Sequence, residues 1–216
     1  MESLHFVEYS GKTIETTVTN KASVAENWLR NMMRSWDRNA GLENKIVGID
    51  CKCFPPLNPA DSSIFANKIA TLQLCMDTKC LVLQLPHMDY VPAQCFLQNL
   101  LANSGAITLV GVEVEKMWHK ITSDYGLEYS RHDCKVVDVH LLAKAWFPMS
   151  YRGRPSLKAL AYGVAGLSKR KSTVGEYYNR HGADWGSKIL DQELVQQACV
   201  DAYVSYAIAH TLLKDP

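Results

Sequence analysis

Two short stretches of this chain carry the residues best suited to chemistry. In VGIDCKC, residues 47–53, Asp50 stands late in a β-rich run and Lys52 follows two positions on. The period-2 geometry of a strand puts both side chains on one face, roughly 6–7 Å apart. An acidic residue at the end of a central strand is a good metal ligand if other carboxylates converge there. The plain alternative is an aspartate that caps a loop. In QACVDAY, residues 197–203, Gln197 and Asp201 are spaced i, i+4 and share a helix face. That face follows Leu194 and Ala198 toward the core. An aspartate there needs a metal or a partner, such as a nearby Lys or Arg.

Other residues offer weaker chemistry. Lys169, Arg170 and Lys171 in KRKS, with Arg152 and Arg154 in YRGRPS, could track a phosphate backbone, or form a solvated charge run. Phe54 could stack on a base or belong to the core. Cys51 and Cys53 share a strand face, with Cys75 and Cys80 on neighbouring strands. Zinc sites favour C-x₂₋₄-C pairs, so C-x-C on a strand reads as buried thiols. The histidines show no H-x-x-x-H spacing, and no Gly-rich phosphate loop or nucleophile elbow is present.

The elements that must hold these residues are readable from period and punctuation. Leu4 to Tyr9 and Thr13 to Val18 alternate around Ser10-Gly11-Lys12, a β-hairpin. Val24, Trp28, Met32 and Trp36 recur every fourth residue, a helix running to about Asn39. Lys45 to Cys53 is a strand stopped by Pro55-Pro56, and Thr71 to Met76 and Cys80 to Leu85 are two more. A helix with Phe96, Leu97, Leu100 and Leu101 leads to a strand at Ile107 to Val112. Glu113 to Asp124 is helical with Met117, Trp118 and Ile121 inward, followed by a strand at Lys135 to Val139. Short helices end at Trp146 and span Ser156 to Ala165, and Asp191 to Leu213 is a long final helix. This order predicts an α/β layer fold with a central mixed sheet.

Composition narrows the classes. The 216 residues predict a single domain, residues 1–216. Lys+Arg of 23 against Asp+Glu of 22 leaves a net charge of +1, so nucleic-acid binding would need a local patch. Seven scattered cysteines do not resemble a secreted disulfide scaffold. The opening MESLHFVEYSGKT lacks a signal-peptide pattern, and no long apolar run predicts a membrane span. A reduced, soluble, intracellular protein is the expectation, in the cytoplasm, the nucleus or both.

From Leu4 to Leu213 the chain resembles the plant Werner-syndrome-like exonucleases, within the DnaQ-like (DEDD) 3′–5′ exonucleases of RNase H-like fold. The landmarks are VGID at 47–50, ATLQLC at 70–75, LVGV at 109–112 and VVDV at 136–139. SLKALA at 156–161, DW at 184–185 and VQQACVDAYVSYAI at 195–208 complete the series. The family pattern asks for Asp-x-Glu, a second-motif Asp, and Tyr-x-x-x-Asp. Here those positions hold Asp50 and Lys52, Met117, and Gln197 and Asp201. Two of the four carboxylates are matched, and the Tyr is replaced by Gln. Glu113, Glu115 and Asp138 lie near enough in sequence to be considered as substitutes.

The resemblance implies a 3′–5′ exonuclease acting on single-stranded RNA by metal-assisted hydrolysis. Asp50 and Asp201 would hold Mg²⁺ or Mn²⁺, Lys52 would sit against the phosphate, and Gln197 would position water. Phe54 stands where the family wraps the terminal nucleotide, and Cys51 and Cys53, just before it, are candidate substrate contacts. Arg152, Arg154, Lys169, Arg170 and Lys171 would follow the RNA backbone. The chain is also similar to the plant RISC-interacting clearing exoribonucleases. These imply a ring-shaped homohexamer with interfacial active sites and an Argonaute (RISC) partner. The lost carboxylates support two other readings. One is an inactive module that binds nucleic acid or a protein partner. The other is a subunit that completes a partner's active site.

Overall fold

The computed structural model describes residues 1–38, 45–55, 68–102, 107–127, 135–147, 155–167 and 183–214. Its centre is a seven-stranded sheet in the order β1-β2-β5-β4-β3-β6-β7. The hairpin β1 (Glu2–Tyr9) and β2 (Lys12–Thr19) closes through Ser10 and Gly11, with φ of 52° and 75°. Paired positive φ values give a two-residue turn the twist that hairpin strands need. Strands β3 (Ile46–Cys53), β4 (Ile69–Met76) and β5 (Lys79–Gln84) form an antiparallel meander, and β5 runs parallel to β2. Strands β6 (Thr108–Gly111) and β7 (Lys135–Asp138) extend the sheet in parallel on the other side of β3. The central mixed sheet expected from the element order is therefore observed, and β3 sits inside it rather than at an edge.

Helices cover both faces. On one, α1 (Ala22–Arg38), α2 (Tyr90–Ala102) and α3 (Val114–Tyr125) bury Trp28, Met32, Phe96, Leu97, Leu100, Met117, Trp118 and Ile121 against the sheet. On the other lie α4 (Val139–Trp146), α5 (Leu157–Gly163) and the final α6 (Gln192–Lys214). Leu194, Ala198, Ala202, Ser205, Ala209 and Leu212 of α6 are buried, the stripe that its spacing predicts.

The seat of α6 on β3 is set by small residues. A Cβ placed on Gly48 would lie 2.1 Å from the Ala202 carbonyl and 2.7 Å from the Tyr206 amide nitrogen. Only glycine leaves room for that approach, and Ala202 keeps the helix side of the contact small. Asp50 is two residues beyond Gly48 on the same strand face, and Asp201 adjoins Ala202. The close approach of backbone to backbone thus carries one aspartate toward the other. Among the described residues, no helix is long and apolar enough to cross a membrane.

Candidate functional site

Asp50, Lys52 and Asp201 meet where α6 crosses β3, and they meet as an ion cluster. Lys52 Nζ lies 2.6 Å from Asp50 Oδ2 and 2.5 Å from Asp201 Oδ2. It donates a hydrogen bond to Asp201, whereas the Asp50 contact is an ion pair without hydrogen-bond alignment. The three side chains are only 17%, 23% and 34% exposed for Lys52, Asp50 and Asp201. Burial opposes the Lys52 charge, but Asp201 and then Asp50 outweigh it and hold the ammonium well above the ordinary lysine range. Burial pushes the Asp50 carboxyl above the usual carboxylate range. Lys52 draws it partly back, and the Asp201 charge pushes it further up.

The floor and roof of the cluster are polar and fixed. Strand pairing places Gln73 beside Asp50, Thr71 beside Lys52, and Gln84 beside Thr71. Gln73 Nε2 donates to Thr71 Oγ1 at 2.6 Å. Above them runs the segment 183–190. Gln84 Nε2 donates to the carbonyls of Ser187 and Lys188 at 2.9 and 3.2 Å, and His87 Nε2 to that of Gly186 at 2.8 Å. These bonds set the Trp185 ring 5.9 Å from Lys52 Nζ, within cation–π range. Thr71, Gln73, Gln84 and Trp185 were not foreseen as site residues. The signal for the two glutamines was a polar residue inside the apolar runs ATLQLC and LVLQ, both wholly buried.

The other expected residues divide clearly. Cys51 and Cys53 pack against the α1–α3 side of the sheet, the face opposite Asp50, Lys52 and Asp201. Both are partly buried there, with free thiols. Phe54 packs on the α6 side, with its ring so close to Gly186 that a Cβ there would meet it at 2.2 Å. Gln197 lies on α6 one turn before Asp201, half-buried, and its buried Oε1 has no hydrogen-bond partner among the described residues. Met117, at the second-motif position, is 2% exposed in the α1–α3 core.

The considered substitutes are engaged elsewhere. Glu113 has a φ of 50° at the start of α3 and pairs with Lys116, and Glu115 points to solvent. Asp138 caps α4, accepting from the amides of His140 and Leu141, and also takes the Glu113 amide at 2.7 Å. Asp124, unmarked in the sequence, pairs with Lys120 and accepts the Ile69 amide at 2.9 Å. Arg152, Arg154, Lys169, Arg170 and Lys171 lie outside the described residues.

A two-metal centre held by Asp50 and Asp201 does not fit this geometry. Such a centre brings two divalent ions about 4 Å apart and needs several carboxylates to offset them. Here two carboxylates converge, and an ammonium stands between them. Among the described residues, no group of three His, Cys, Asp or Glu side chains could hold a metal ion. Lys52, expected to sit against a bound phosphate, has its ammonium against both aspartates here.

No protein-family model matches the sequence, and no curated protein matches it. Solved structures do. RNase D of Trypanosoma brucei, in complexes with GMP and with RNA U12, aligns at 14% and 15% identity with a TM-score of 0.71 in both. The alignments cover 93% of this chain and 57% and 63% of those chains. The EXO domain of Aedes aegypti Nibbler aligns at 12% identity and a TM-score of 0.68, covering 97% of this chain and 91% of that domain. Escherichia coli RNase D, an exoribonuclease involved in structured RNA processing, gives 12% identity and a TM-score of 0.64 over 91% of this chain and 44% of its own. This chain thus spans less than two thirds of the RNase D chains. At these identities the likeness is one of fold: the chain shares the mixed α/β fold of these RNase D and Nibbler EXO structures.

Proposed function

We propose that this chain is a single-stranded RNA-binding domain on an exonuclease fold, whose cleft does not hydrolyse the phosphodiester. The observation that carries the reading is the Lys52 ammonium, 2.6 Å from Asp50 and 2.5 Å from Asp201. It neutralises one of two carboxylates and stands where an exonuclease of this fold would need divalent charge. RNA is favoured as ligand by the RNase D complex with RNA U12. On the sequence reading, Arg152, Arg154, Lys169, Arg170 and Lys171 are the basic residues that would meet the phosphate backbone on a chain of net charge +1. The homohexameric ring, the Argonaute (RISC) partner and a cytoplasmic or nuclear setting belong to the same proposal, on the strength of the resemblance. Light scattering of the purified chain reads the first of these.

The test is a time course on 5′-labelled single-stranded RNA with Mg²⁺, Mn²⁺ or EDTA, run beside a filter-retention assay. The expected result is retention of intact RNA in every lane. A metal-dependent ladder that disappears in Asp50→Ala and Asp201→Ala would restore the exoribonuclease reading. Failure to retain RNA under any condition would leave a protein-binding module.

A further inference from the structure

The packing of α6 on β3 creates an electrostatic problem. Gly48 and Ala202 let the two backbones touch, and that contact drives Asp50 and Asp201 together in a poorly solvated cleft. Two carboxylates so placed repel, and each loses hydration. In the absence of any cation the arrangement would open or take up protons.

The cation is built into the chain. Lys52 comes from the same strand face as Asp50, and the strand register shifts between Lys52 and Cys53. Such an irregularity twists a strand and re-aims its side chains. The Lys52 ammonium also lies over the Trp185 ring, 5.9 Å from its centroid. Trp185 is held by a segment whose carbonyls at Gly186, Ser187 and Lys188 are bound by His87 and Gln84. Gly186 in turn lies against Phe54 with no room for a side chain. Lys52 is therefore gripped by two carboxylates and an aromatic face rather than left mobile.

We propose that Lys52 is a resident counter-ion that takes the place of a divalent metal between Asp50 and Asp201. The cleft is complete without metal, and removing the ammonium uncovers a divalent-cation site made of those two carboxylates. The inference rests on the metal-free part of the proposed function and is independent of whether RNA binds.

Mn²⁺ alone is the probe, read by the loss of its solution electron paramagnetic resonance signal and by the melting temperature. Wild type is expected to leave the Mn²⁺ signal intact and to melt at one temperature in Mn²⁺ and in EDTA. Lys52→Met is expected to bind Mn²⁺ at least about tenfold more tightly than wild type and to melt higher in Mn²⁺ than in EDTA. Lys52→Met/Asp201→Asn is expected to lose both responses. If Lys52→Met folds poorly, its refolding yield in Mn²⁺ against EDTA gives the same reading. Mn²⁺ uptake by wild type, or a Lys52→Met protein indifferent to Mn²⁺, overturns the proposal. RNA retention is scored separately, so its failure leaves this result standing.

Discussion

Lys52 is the residue on which the site turns, and its chemistry sets the pH behaviour of the fold. Its folded pKa is raised, so the stability it contributes is whole below the unfolded value of about 10.4 and is lost as pH rises toward the folded value. In Lys52→Met the pull that Lys52 exerts on Asp50 is gone, and burial raises that carboxyl further. A raised carboxyl favours the folded state at low pH, so acidification relieves the variant. The melting-temperature gap between wild type and Lys52→Met is expected to be widest between about pH 7 and 10 and to narrow on both sides. At pH 7 the variant should lose about 3 kcal/mol in urea titration. This is the low end for a broken buried pair, because Asp201 keeps 34% exposure. Asp50 and Lys52 could be paired from sequence because two positions on a strand share a face. The sequence left Asp201 with either a metal or a Lys or Arg as its partner; that Lys52 in particular reaches it could not be read there.

At the scale of elements, the site depends on how closely α6 rests on β3. Gly48→Ala puts a methyl 2.1 Å from the Ala202 carbonyl, and backbone cannot yield as a side-chain tip would. A loss of about 3 kcal/mol is expected in urea unfolding, together with a weaker Lys52–Asp201 contact. The end of β7 is set by a different device. Asp138 uses one oxygen to cap α4 and the other to fix the turn after β6 through the Glu113 amide. Asp138→Ala is expected to cost about 1–2 kcal/mol, read as a lower urea midpoint, with the Lys52 cluster intact. The same engagement explains why Asp138 does not act as a third site carboxylate. Element existence followed from periodicity, as in the buried stripe of α6. The 3.6-residue spacing fixes which side chains share a face, without saying which strand that face meets.

For the whole molecule, a net charge of +1 means that any RNA affinity is local and strongly salt-dependent. Neutralising Arg152, Arg154, Lys169, Arg170 and Lys171 together is expected to weaken retention of single-stranded RNA by at least about tenfold at low salt. The salt dependence of the residual binding should flatten as well. Filter retention across a salt series measures both. An unchanged slope would move the RNA-binding surface elsewhere. Lys52→Met in the same series should retain RNA as wild type does, since Lys52 is turned to the aspartates rather than outward.

Sequence alone determined the parts that depend on near neighbours in the chain: the hairpin at Ser10-Gly11, the strand ending at Pro55-Pro56, and the stripe of α6. It also marked Asp50, Lys52 and Asp201, because a charged residue on an inward face must be answered by something. Tertiary structure decided what answers it. Lys52 and Asp201 are 149 positions apart, and their contact exists only because a glycine on β3 lets α6 come within touching distance. Strand and helix periods act over a few residues. The sign of the charge between two aspartates is settled by which side chain the packing leaves room for, and here that side chain is a lysine.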